Sequence, residues 1–194
     1  GSSSASFPGL TPDGDAVLDS TGVLNLPEVP ESLIIVGAGA IGLELGDFFG
    51  MMGSKITIVE AAPHIAPTED ADIAKEMDRV QSKAGRTCIT GVMAKSLVTK
   101  DGQAELTLGD GRVLTASKAL VAVGRTPNTA GLNCEKAGCT LKRRGFVDVN
   151  DHLEAAEGVY ETQIAWLPWL PVAIGITILA LAVSCMRYGA SERR

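Results

Sequence analysis

The chain has 194 residues, enough for one domain of ordinary size and an appendage. With 45% hydrophobic and 21% charged residues it can bury a core, which excludes global disorder. A formal net charge of −6 and the lack of any lysine or arginine stripe exclude a nucleic-acid binder.

Residues 1–30 are rich in Ser, Pro, Gly and Asp and read as an extended connector. "SLIIVG" (Ser32–Gly37) is a short apolar run between turn signals, the pattern of a buried parallel strand. "AIGLELGDFFGMMG" has near-helical apolar spacing and stops at Gly53. "KITIVE" (Lys55–Glu60) is the next strand. Thr68–Gly85 carries acids in its first turns, bases near its end and a closing glycine, which predicts a capped helix. "RTCIT" reads as a third strand.

The apolar period then changes to two. "AKSLVTK", "QAELTL" and "RVLTASKALVAVG" are joined by Asp101-Gly102 and by "GDG" at 109–111, which predicts hairpins. The fold class is therefore α/β, a Rossmann-like parallel sheet with an inserted antiparallel meander. Residues 31–150 form the expected nucleotide domain, and 151–163 a linker.

From Ile164 to Met186 no residue is charged, a run longer than the ~20 residues a membrane span needs. Pro171 suits a helix start, Trp166 and Trp169 suit a headgroup level, and Arg187 and Tyr188 mark the other interface. Residues 164–188 are thus expected to form a transmembrane helix, followed by a basic tail at 189–194. The four cysteines make no closely spaced even framework, which fits a reducing compartment. No apolar, positively charged leader opens the sequence, so the nucleotide domain is expected on the cytoplasmic side, anchored or not by the tail.

The chemistry concentrates in "VGAGAIGLE". Gly37, Gly39 and Gly42 fit G-x-G-x-x-G between a strand and a helix. The first glycine permits a tight turn, the second lets backbone approach a pyrophosphate, and the third lets helix and strand pack closely. The helix N-terminus offers unpaired N–H groups to phosphates. Glu60 follows Gly42 by 18 residues and ends the next strand, where its carboxylate can hold an adenosine ribose. A negative charge there repels a 2′-phosphate, favouring NAD(H) over NADP(H). The same loop also binds FAD in other proteins, so the loop alone leaves both dinucleotides open.

Three blocks extend the pattern: "LPEVPESLIIVGAGAIGLELG", "GSKITIVEAAPHIAP", and "ALVAVGRTPNTAGL" with "GFVDVN". Together they resemble the pyridine nucleotide–disulfide oxidoreductases, and within them the dihydrolipoamide dehydrogenase group, from about Leu18 to Tyr160. The resemblance implies an NAD-binding domain. Gly37, Gly39, Ala40, Ile41 and Gly42 would hold the pyrophosphate and Glu60 the adenine ribose. Met93 would lie against adenine, with Glu44 and Gly124 near the nicotinamide. Arg125 has two readings, a nicotinamide contact or an anchor for its own loop.

Complete relatives, by the same resemblance, also carry an FAD domain with a redox cysteine pair and an interface domain with a catalytic histidine. These 194 residues match neither, so stable FAD binding and unaided catalysis are not expected. An FAD-bearing chain becomes a candidate partner. The alternative is a membrane-tethered, non-enzymatic NAD(H)-binding module. Cys134 and Cys139 in "CEKAGC" imitate the spacing of the redox pair but lie in the wrong block, and they read as free thiols. His64 and His152 have no visible second ligand or nucleophile.

Overall fold

The computed structural model describes residues 1–160. The chain divides into two compact units, Gly1–Asn128 and Thr129–Arg194. The expected membrane helix at 164–188 lies outside the described residues. Among residues 1–160, no helix is long and apolar enough to cross a membrane.

In chain order the first unit holds β1 (Ser2–Ser4), β2 (Val17–Leu18), α1 (Ser20–Leu24), β3 (Ser32–Val36), α2 (Ala40–Met51), β4 (Lys55–Val59), α3 (Ala71–Lys83), β5 (Thr87–Ile89), β6 (Ala94–Lys100), β7 (Gln103–Leu108), β8 (Val113–Ala116), β9 (Lys118–Val121) and β10 (Arg125–Pro127). A five-stranded sheet has the order β2-β9-β3-β4-β5, and every one of its pairings is parallel. β3, α2 and β4 form one crossover unit, and β4, α3 and β5 form the next. β9 then returns to the opposite side of β3, so the strand order reverses between β3 and β9. In open α/β sheets, ligands bind outside the carboxyl ends of the strands at such a reversal.

The alternation along β3 explains the layers. Leu33 and Ile35 point to one face, where Ile56, Ile58, Leu120, Leu43 and Phe49 join them. Ile34 and Val36 point to the other, with Val59, Ala119, Val121, Leu97, Leu106 and Leu108. Helices therefore cover one face of the sheet and the β6-β7-β8 meander covers the other. Each fully buried Leu or Ile contributes about 1.5–3 kcal/mol by leaving water.

The Asp101-Gly102 hairpin forms as expected. Both residues adopt positive φ, 52° and 76°, and Lys100 pairs with Gln103 across the turn. α2 ends at Met51, two residues before Gly53, whose φ is 106°.

Three expectations need correction. Residues 1–30 are not a bare connector: β2 extends the parallel sheet, Val17 and Val23 are fully buried, and the Asp19 carboxylate caps α1 by accepting from Gly22 N at 2.8 Å. α3 carries Asp70 at its N-cap, but that side chain makes no capping bond. "RVLTASKALVAVG" is not one strand. It breaks at Ser117, whose N–H donates to Ser32 Oγ, so that β8 stays in the meander and β9 enters the parallel sheet.

The second unit begins inside the block that the sequence assigns to one nucleotide domain through Asn150. Its described part holds β11 (Glu154–Ala156), paired antiparallel with β12 (Val159–Tyr160), and an isolated bridge between Leu141 and Val147. None of its described residues is fully buried.

Candidate nucleotide site

The loops after β3, β4, β5 and β9 all leave the carboxyl edge of the parallel sheet. This edge carries Gly37–Gly42, Glu60, Met93 and Gly124. All nine expected site residues except Glu44 lie on these loops or in the first turn of α2; Glu44 lies one turn further along that helix.

Gly37 has φ 105°, and a Cβ there would run into the Ala122 carbonyl at the end of β9. Its N–H donates to Val59 O at 2.8 Å. Gly42 sits in the first turn of α2, where a Cβ would overlap the Gly37 carbonyl oxygen and crowd Ile35. These two glycines are demanded by the chain's own packing.

Gly39 is different. It is the N-cap of α2, in ordinary extended geometry (φ −78°, ψ −174°), and a Cβ there would meet nothing within 4 Å. No atom of the described residues requires a glycine at this position. What a side chain would fill is the space in front of the helix N-terminus. No side chain caps that terminus. The first-turn amides of Ala40, Ile41 and Gly42 have no carbonyl a turn earlier in the helix to bond, and they lie at the positive end of the helix dipole. An uncapped helix N-terminus of this kind favours an anion.

Glu60 stands immediately after β4. Its Oε2 accepts from Ala38 N at 2.7 Å and its Oε1 accepts from Ala62 N at 2.8 Å. Each carboxylate oxygen keeps a further lone pair for a hydroxyl donor. Among the described residues, no arginine or lysine is bonded to it. Val92 N donates to the Glu60 carbonyl, so the loop carrying Met93 is tied to the same corner. Met93 is 69% exposed, an apolar side chain left in solvent beside a polar loop. Gly124, φ 122°, follows β9, and its carbonyl accepts from Ala5 N at 2.9 Å. Partial desolvation of Glu44 pushes its carboxyl above the usual carboxylate range.

Arg125 makes the bonds expected of an anchor for its own loop. Its Nε donates to Ser2 Oγ at 2.7 Å and a terminal nitrogen donates to Ser2 O at 2.6 Å, closing β1 onto β10. Cys134 and Cys139 are free thiols in the second unit. The His64 ring bonds only the Ile65 carbonyl, and His152 is exposed. Among the described residues, no cluster of His, Cys, Asp or Glu could hold a metal ion.

Sequence reasoning missed the bond that Glu60 accepts from the glycine loop. Spacing marks Glu60 as a ribose ligand, but no local pattern reports that a loop 22 residues earlier donates to it.

Comparison with known proteins gives a consistent result. The family model described as pyridine nucleotide-disulphide oxidoreductase matches residues 1–161. A leghemoglobin reductase of Glycine max is 39% identical over 166 residues, covering 82% of this chain and 32% of that protein. A mitochondrial dihydrolipoyl dehydrogenase of Pisum sativum is 38% identical, with 82% and 33% covered. Among solved structures, LpdA of Mycobacterium tuberculosis aligns at TM-score 0.78 with 29% identity, over 95% of this chain and 41% of that one. The HOCl-induced flavoprotein disulfide reductase RclA of Escherichia coli aligns at 0.69 with 35% identity, over 79% and 35%. The chain spans about a third of the length of the curated relatives it matches.

Proposed function

The chain belongs to the pyridine nucleotide-disulphide oxidoreductase family, and on that premise we propose that it binds NAD(H) as the nucleotide domain of a dihydrolipoyl dehydrogenase-like flavoprotein. The amides of Ala40, Ile41 and Gly42 hold the pyrophosphate and Glu60 accepts from the adenosine ribose. Met93 shields the adenine, while Glu44 and Gly124 flank the nicotinamide end. Gly39 carries this reading: the chain leaves its Cβ direction open, in front of an uncapped helix N-terminus.

A hydride carried by the nicotinamide needs an acceptor. In the complete enzymes that acceptor is the flavin. The part of these 194 residues in that chemistry is to capture and orient the dinucleotide, with flavin and dithiol supplied by other residues or an FAD-bearing partner. The purified full chain is therefore expected to quench or enhance NADH fluorescence saturably. It should carry no stoichiometric flavin and show no lipoamide-dependent NADH oxidation. Turnover by the chain alone, with bound flavin, would overturn the non-catalytic part of the reading.

A second reading rests on the uncharged run from Ile164 to Met186. In it the same nucleotide site is tethered to a membrane as a non-enzymatic module. Flotation with phospholipid vesicles supports tethering if the full chain floats after alkaline carbonate wash and a chain ending at Tyr160 does not. Equal behaviour of the two removes it.

A further inference from the structure

We propose that Glu60 has a second task besides reading the ribose: it sets the conformation of the phosphate loop. The inference rests on the NAD(H) reading of the same site and adds a positioning role that the ribose contact does not contain.

Ala38 lies between Gly37 and Gly39 and is completely buried. A buried N–H left without an acceptor is costly. The acceptor here is not backbone. It is Glu60 Oε2, at 2.7 Å. The Ala38 carbonyl accepts from Ala66 N at 2.9 Å, and Gly37 N is held by Val59 O at 2.8 Å. The turn that presents Gly39 is thus pinned on both sides by backbone and at its centre by a carboxylate. Bonds to an ionised acceptor are roughly twice as strong as neutral ones.

The brace is itself fixed. Glu60 N donates to Ile89 O at 2.8 Å, its carbonyl accepts from Val92 N at 3.2 Å, and Oε1 is occupied by Ala62 N at 2.8 Å. One carboxylate therefore joins the loop after β3 to the loop after β4. The lone pairs left over still serve a ribose. Ribose recognition and phosphate-loop geometry share one group.

Glutamine cannot replace it. Its amide offers one acceptor oxygen and one NH2, so one of the two N–H groups would face another donor. Glu60→Gln should therefore do more than weaken a ribose contact.

The test uses the full chain and its Glu60→Gln variant with adenosine and ADP as probes. The ratio of ADP to adenosine affinity isolates what the phosphates gain. A residue that reads only ribose lowers both affinities by one factor and leaves the ratio alone. Loss of its negative charge would by itself raise the ratio. Loop positioning predicts that the ratio falls, by about tenfold or more. Amide hydrogen exchange supplies a readout without ligand. The Ala38 amide is expected to be protected in the native chain and to exchange about tenfold faster or more in Glu60→Gln, with the β3 amides unchanged. A constant or rising ratio together with unchanged Ala38 exchange overturns the proposal. If the native chain binds neither ADP nor NADH, the nucleotide reading falls, and Ala38 exchange still decides whether Glu60 braces the loop.

Discussion

A Cβ on Gly42 would overlap the carbonyl oxygen of Gly37, whereas a Cβ on Gly39, between them in sequence, would touch nothing. The two substitutions should therefore separate folding from binding. Gly42→Ala forces the first turn of α2 away from β3 and is expected to cost about 1–3 kcal/mol of stability, as overpacking does. Gly39→Ala keeps allowed backbone geometry and should change stability by less than about 0.5 kcal/mol. It should still weaken NADH binding about tenfold or more, because its methyl group occupies the phosphate cradle. Urea unfolding and NADH titration of both variants check this. Equal NADH affinity in Gly39→Ala would remove the loop from the site.

Asp47 of α2 and Arg86, just before β5, form an ion pair in which the arginine side chain is only 7% exposed. Arg86 also donates to Gln81 Oε1 at 2.8 Å, and its Nε finds no partner among the described residues. Removing the carboxylate strands a buried cation. Asp47→Ala is expected to cost about 3 kcal/mol, and Arg86→Met distinctly less, because an apolar chain of similar length has no charge to leave unpaired. Denaturant midpoints of the two variants test the order. The reverse order would mean that the pair contributes through Arg86 packing.

Glu44 carries a pH signature. Its carboxyl is raised in the folded chain by desolvation. The folded state therefore holds this proton more tightly than the unfolded state. Stability from this group is present at low pH and is lost as pH rises through the folded value. Glu44→Gln removes the penalty, so the variant should be more stable than the native chain at pH 7. The gap should close as the pH falls below the ordinary carboxylate range. Paired urea midpoints at pH 7 and pH 4 decide it; a gap that widens at pH 4 contradicts the desolvation account.

Arg125 ties β10 to β1 through Ser2. Arg125→Ala is expected to raise amide exchange in Ser2–Ser4 and to leave NADH affinity within about twofold, the span of a surface substitution away from the ligand. A large loss of affinity with unchanged exchange would restore the nicotinamide reading.

How far the sequence spoke depended on whether the signal was local. β3, β4 and α2 are continuous patterns set off by glycine or proline nearby, and the structure places them where those patterns predict. β2 is only Val17 and Leu18, two apolar residues in a polar stretch, and becomes a strand because β9 pairs with it. The break at Ser117 has no glycine or proline to announce it; it follows from a bond to Ser32, 85 residues away. At the site, glycine spacing and strand ends identify Gly37, Gly39, Gly42 and Glu60 from local pattern. The bracing of Ala38 by Glu60 is a tertiary contact and was not legible. Nor was the division after Asn128, since Thr129–Tyr160 lacks any buried residue that would distinguish a second unit by pattern.

The NAD(H) site proposed at this sheet edge draws its selectivity from the Glu60 carboxylate. The most direct measurement is a parallel titration of the full chain with NADH and NADPH. The account predicts saturable NADH binding and an NADPH affinity lower by about tenfold or more, from repulsion between the carboxylate and the 2′-phosphate. Equal affinities, or no binding of either nucleotide by the folded chain, would contradict it.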